Sequence, residues 1–67
     1  MKYRVLEAEM LKKNIKRKDL AKLLRISYGT MNNKLNCIRP FNDGEMFEIK
    51  KILKTDLYLD DLFKKEE

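Results

Sequence analysis

The spacing of the apolar residues narrows the fold more than any other feature: they recur every three or four positions in short runs and nowhere alternate over a sustained stretch. Such spacing builds helices with one apolar face, and without period-two alternation no sheet is expected. Val5, Leu6, Met10 and Leu11 predict a first helix over about Tyr3 to Lys13, and the pattern breaks at Asn14 and Ile15. Leu20, Ala21, Leu23 and Leu24 predict a second, Arg17 to Leu24, with Asp19 in its first turn, where a carboxylate suits the helix dipole. After a very short connection at Arg25 and Ile26, Ser27 is a good N-cap for a third, about Tyr28 to Asn36. Beyond the helix-ending Pro40, Asn42 with Glu45 three residues later forms a capping-box start for a fourth, Asp43 to Leu53. Met46, Phe47, Ile49, Ile52 and Leu53 are expected on its buried side. A short fifth helix, about Leu59 to Lys64, brings Leu59, Leu62 and Phe63 to the core ahead of a charged tail over 64–67. The expectation is an all-α, compact five-helix unit, a single domain over 1–67.

A chain of 67 residues buries only about 60% of the surface its unfolded form exposes, which leaves little room for a deep catalytic pocket. With 43% apolar residues, two Gly and one Pro, it suits a compact helical globule better than a disordered chain. The lone Cys37 has no internal disulfide partner, and without His there is no ligand set for zinc or a transition metal. No nucleophile has a neighbouring base and no Gly-rich phosphate loop occurs, so neither an enzyme nor a cofactor or small-molecule ligand is expected. The opening "MKYRVLEAEML" interrupts its apolar run at Arg4, Glu7 and Glu9, and nothing later approaches the ~18 apolar residues of a membrane span. A soluble cytoplasmic protein with no membrane partner is expected.

Charge is distributed unevenly. Residues 1–39 carry eleven Lys and Arg against three acids, a balance of +8, whereas residues 40–67 carry five against eight, a balance of −3. The asymmetry points to one half facing a polyanion, nucleic acid being the natural candidate, and another turned elsewhere.

The third helix sharpens that reading. It contains Gly29, Asn32, Asn33 and Asn36, although Gly costs about 1 kcal/mol and Asn about half as much against Ala in a helix. Met31 and Leu35 fall within about 40° of one another as its buried stripe, and the weak helix formers lie on the other side. A face chosen only for solubility would use Lys, Glu or Gln. A carboxamide, by contrast, offers an acceptor and donors together and bonds adenine at N6 and N7 in the major groove. Glycine allows close approach to a base edge or phosphate. Ser27 and the N–H groups after it suit a phosphate at the helix start. Tyr28 serves either the core or the groove, and Asn36 is either a solvated helix stop or a contact.

In "KKNIKRKD", Arg17 and Lys18 stand where the helix dipole disfavours cations, so local stability does not explain them, whereas a docked phosphate would. Lys12, Lys13 and Lys16 serve equally as a solvated charge run.

The segment "DLAKLLRISYGTMNNKLNCIRPF" resembles the helix-turn-helix of the phage repressor and Cro family (Cro/C1-type, XRE) of bacterial DNA-binding proteins. The elements that carry the likeness are "LA" at Leu20 and Ala21, "IS" at Ile26 and Ser27, "NKLN" at Asn33 to Asn36, and "IKKILK" followed by "DDLF". The likeness extends from about Val5 to Phe63 and implies a lambda-repressor-like domain with its helix-turn-helix at the second and third helices. It implies base reading by Tyr28, Gly29, Asn32 and Asn33. Phosphate contacts are implied for Arg17, at the first position of the second helix, and for Asn36 and Arg39; Lys18, Ser27 and Lys34 join that set. The chain departs from the pattern at Arg25, where the turn usually has a small residue, at Cys37, where Gly often ends the helix, and at Lys34, where many members are apolar.

The function these features imply is a sequence-specific transcriptional regulator, phage-related and acting in a bacterial cell, that binds double-stranded DNA. One such unit reads a half-site, so a homodimer on a palindromic operator with half-sites about 34 Å apart is expected. Leu57, Tyr58, Leu59, Leu62 and Phe63 either form the dimer surface or close the core. The alternative is a protein-interaction module of the same fold, antirepressor or antitoxin-like, with its basic face on an acidic partner.

Overall fold

Left-handed residues take the place of glycine where the helices end. The structure, a computed structural model, describes residues 1–66. It contains α1 (Arg4–Lys12), α2 (Arg17–Leu24), α3 (Tyr28–Leu35), α4 (Asp43–Leu53) and α5 (Leu59–Leu62), and no strand among the described residues. Asn14, Arg25, Cys37 and Lys54 follow the first four helices with φ of 57°, 59°, 64° and 51°. After α1, α2 and α3 the turn closes in the same way. The N–H groups of Ile15, Ile26 and Ile38 return to the carbonyls of Met10, Ala21 and Asn33 at 2.8, 3.0 and 2.8 Å, and those of Asn14, Arg25 and Cys37 to Leu11, Lys22 and Lys34 at 3.1, 3.2 and 3.1 Å. This double closure satisfies carbonyls that a helix end leaves without partners. Ile15 and Ile26 then fold against the core, whereas Ile38 stays exposed.

The helix starts follow their sequence signals. Asn42 Oδ1 accepts from the Glu45 N–H at 2.8 Å and Glu45 Oε1 accepts from the Asn42 N–H at 2.9 Å, a complete capping box at α4. Ser27 Oγ accepts from the Thr30 N–H at 3.1 Å at α3, and Asp19 accepts from the Lys16 N–H at 3.1 Å at α2.

Leu6 and Met10 of α1, Leu20 and Ala21 of α2, Met31 and Leu35 of α3, Ile49 and Leu53 of α4 and Leu62 of α5 form one core with Tyr3 and Phe41. Tyr3, Phe41 and Phe63 pack tilted or edge-on, with centroids 5.3 to 6.0 Å apart. Beside them Lys2 and Glu66 exchange backbone hydrogen bonds of 2.6 and 2.7 Å as an isolated antiparallel bridge. No helix among the described residues is long and apolar enough to cross a membrane.

The boundaries of α2 and α4 match the sequence expectation, and α1 is shorter by one residue at each end. Asn36 lies outside α3 as its C-cap, and α5 stops at Leu62 rather than Lys64. Phe47 is exposed rather than buried. It lies about 160° around the helix from Ile49 and about 120° from Leu53, which face the core. The charged tail is fastened at Glu66; Glu67 lies outside the described residues.

Candidate nucleic-acid interface

The connection from α2 to α3 is three residues, Arg25, Ile26 and Ser27, and each has a separate task. Arg25 turns the chain through the left-handed region, Ile26 packs inward and Ser27 caps the next helix. Leu20 and Ala21 of α2 meet Met31 and Leu35 of α3 in the core, so the opposite side of α3 is presented outward.

Tyr28, at the flank of the buried stripe in the first turn, is 55% exposed, so it is a surface residue rather than part of the core. Gly29 is exposed, and a Cβ placed there would meet nothing within 4 Å. Asn36 is exposed, whereas Asn32 and Asn33 are half-buried. No acid occurs in α3. Lys18 and Arg39 are exposed, and the Arg39 N–H donates to the Asn33 carbonyl at 3.2 Å, which ties the following loop to the end of the helix.

Arg17 is engaged within the protein. Its Nη2 donates to Glu7 Oε1 of α1 at 2.8 Å, and its Nη1 donates to Asn32 Oδ1 at 2.9 Å and Asn36 Oδ1 at 3.3 Å. Glu7 therefore supplies a counter-charge to Arg17 at a position where the helix dipole disfavours a cation, a structural reason for Arg17 that the sequence of α2 alone does not show. Sequence reasoning also passed over Glu7 as part of the site. Its signal is weak, because Glu7, Arg17 and Asn32 lie on three different helices.

Lys34, expected among the phosphate contacts, is instead engaged within the protein. Its ammonium lies 2.5 and 2.6 Å from the two carboxylate oxygens of Glu45 and 5.9 Å from the centroid of the Phe41 ring. Lys34 stands about 60° from Met31 on the helix, at the flank of the buried stripe, and so turns toward α4. Burial pushes the Glu45 carboxyl up, but the hydrogen bonds from Lys34 and the Asn42 N–H outweigh it and hold it below the ordinary 4.5.

The dimer candidates also divide. Leu62 is completely buried, and Leu57 and Phe63 pack on the core, so these three close the fold. Leu59 is half-buried. Tyr58 is 77% exposed and remains a surface residue, as does Phe47.

Neither a family model, nor a curated protein, nor a solved structure matches this chain. The chemistry of the α3 face must therefore be read from its own residues. That face offers carboxamides and bare backbone, with a tyrosine hydroxyl at its flank and cations at its edges.

Proposed function

We propose that this chain is a sequence-specific double-stranded DNA-binding transcriptional regulator of the phage repressor and Cro type, with α2 and α3 as its helix-turn-helix and α3 in the major groove. The observation that carries the reading is the side of α3 turned away from Met31 and Leu35, where Gly29, Asn32 and Asn33 lie together, with the exposed Tyr28 at the flank of the buried stripe, on a helix without acids. Those residues weaken the helix, and base reading is the chemistry that justifies them. Lys18, Arg39, Asn36 and the first-turn N–H groups after Ser27 contact phosphates, a sequence-independent attraction that positions the helix.

One domain reads one half-site, so a homodimer on a palindromic operator follows, with Tyr58 and Phe47 as the exposed aromatics available to a second copy. The setting proposed is the cytoplasm of a bacterial cell. Selection from a random-sequence duplex pool at fixed salt tests the reading. A motif with dyad symmetry is expected, and absence of salt-sensitive duplex binding would instead favour an antirepressor or antitoxin-like protein partner.

A further inference from the structure

We propose that Arg17 sets the hydrogen-bonding polarity of the α3 face, so that Asn32 reads bases as a donor and selects guanine or thymine rather than adenine. The inference rests on the DNA reading above. A carboxamide offers oxygen and nitrogen alike, and a flip about its last bond exchanges them. Arg17 decides the flip. A guanidinium has donors only, so the group facing Nη1 at 2.9 Å must be the Asn32 oxygen, and a flipped amide would set donor against donor. The amide N–H groups of Asn32 are thereby left for the groove.

The consequence for base choice is direct. Adenine presents N7 as an acceptor beside N6–H₂ as a donor, and matching both takes an oxygen and a nitrogen together. Guanine N7 and O6 and thymine O4 are acceptors, which an outward amide nitrogen satisfies. Asn36, whose oxygen lies 3.3 Å from the same Nη1, presents its nitrogen outward in the same way, a match for a phosphate oxygen. Asn33 is not held by Arg17 and keeps both functions, so it is the carboxamide suited to adenine.

Glu7 completes the arrangement. Its Oε1, 2.8 Å from Nη2, holds the far side of the guanidinium and offsets its charge, which makes Arg17 a positioning residue rather than a phosphate ligand. The unit spans α1, α2 and α3, so the polarity of the reading face is fixed before DNA arrives.

Parallel selections from a random-sequence duplex pool at one fixed salt concentration, with the wild-type chain, Asn32→Ala and Arg17→Met, test this. Asn32→Ala identifies the base that Asn32 reads as the position whose preference relaxes. Guanine or thymine is expected there for the wild type, about tenfold over adenine, with that ratio falling about fivefold or more in Arg17→Met. Adenine at that position in the wild-type selection, or an unchanged ratio in a folded Arg17→Met chain, overturns the donor assignment and leaves the DNA reading standing. Absence of duplex binding, or binding without sequence preference, overturns both. Should Arg17→Met fail to melt cooperatively, the wild-type chain is measured on its selected duplex with 7-deazaguanine and 6-thioguanine, or 4-thiothymine, at that position. A loss of about fivefold for one such replacement is expected, and unaltered affinity for all of them overturns the assignment.

Discussion

Lys34 of α3 and Glu45 of α4 form an ion pair at 2.5 Å, with their side chains only 13% and 15% exposed. Glu45 at the same time accepts the Asn42 N–H of its own capping box. One carboxylate thus starts α4 and ties it to the end of α3. Glu45→Gln keeps an oxygen for the cap but leaves the Lys34 ammonium covered and without its counter-charge. A loss of about 2–3 kcal/mol is expected in denaturant unfolding, with most of it recovered in the double variant Lys34→Met/Glu45→Gln, because that variant no longer holds a covered ammonium without a counter-charge. A double variant as unstable as Glu45→Gln alone would contradict this.

The same pair predicts an acid limit. Glu45 titrates below its ordinary 4.5 in the folded chain, and so does Glu9, held down by hydrogen bonds from Thr55 and then Lys12. A carboxyl lowered by folding contributes stability above its unfolded pKa, and the contribution disappears as pH falls through the folded value. Melting temperature should therefore be level from neutral pH down to about 5 and fall below about 4.5, with the fall reduced in Lys34→Met/Glu45→Gln. Equal acid sensitivity in the two chains would place the titration elsewhere.

Left-handed backbone without glycine predicts gains. Lys54 is exposed with φ 51°, and Cys37 has φ 64°. A left-handed L-residue with a Cβ costs about 1–2 kcal/mol, partly offset when glycine replaces it by the greater freedom glycine gives the unfolded chain. Lys54→Gly is expected to stabilise the fold by about 0.5–1 kcal/mol, seen as a rise in melting temperature, with Asn14→Gly giving less because Asn already tolerates that region. A lower melting temperature for Lys54→Gly would show that its side chain contributes more than the backbone costs.

How much of this was legible follows from the range of each interaction. The limits of α2 and α4 depend on apolar spacing and on caps three residues apart, so they are readable in the sequence. The exposed position of Phe47 and the inward turn of Lys34 were also readable, since both follow from their angle to the buried stripe; counting residues as apolar or charged without placing them on the wheel obscured this. The Glu7, Arg17, Asn32 and Asn36 unit was not readable. Arg17 is separated from its partners by 10, 15 and 19 positions, and only the packing of three helices brings them together. Cys37 shows a third case. The unusual ending was visible as a departure, but whether the residue would take the left-handed region depended on the Ile38 and Cys37 bonds to α3.

The proposed base reading and phosphate contacts separate in binding measurements. Asn33 lies about 160° around α3 from both Met31 and Leu35, so its truncation disturbs the core least. Asn33→Ala is expected to weaken the selected site by about 1–3 kcal/mol and leave binding to unrelated duplex nearly unchanged. Lys18, exposed beside Arg17, is expected to act alike on all sequences, and Lys18→Ala should reduce the slope of log affinity against log salt by about 1. Arg17→Met should leave that slope nearly unchanged, because Glu7 already offsets the guanidinium charge at 2.8 Å. Titrations of these three variants against specific and unrelated duplexes at several salt concentrations decide the matter. Equal losses on every sequence for Asn33→Ala would remove it from base reading, and a slope reduced by about 1 in Arg17→Met would make that guanidinium a phosphate ligand after all.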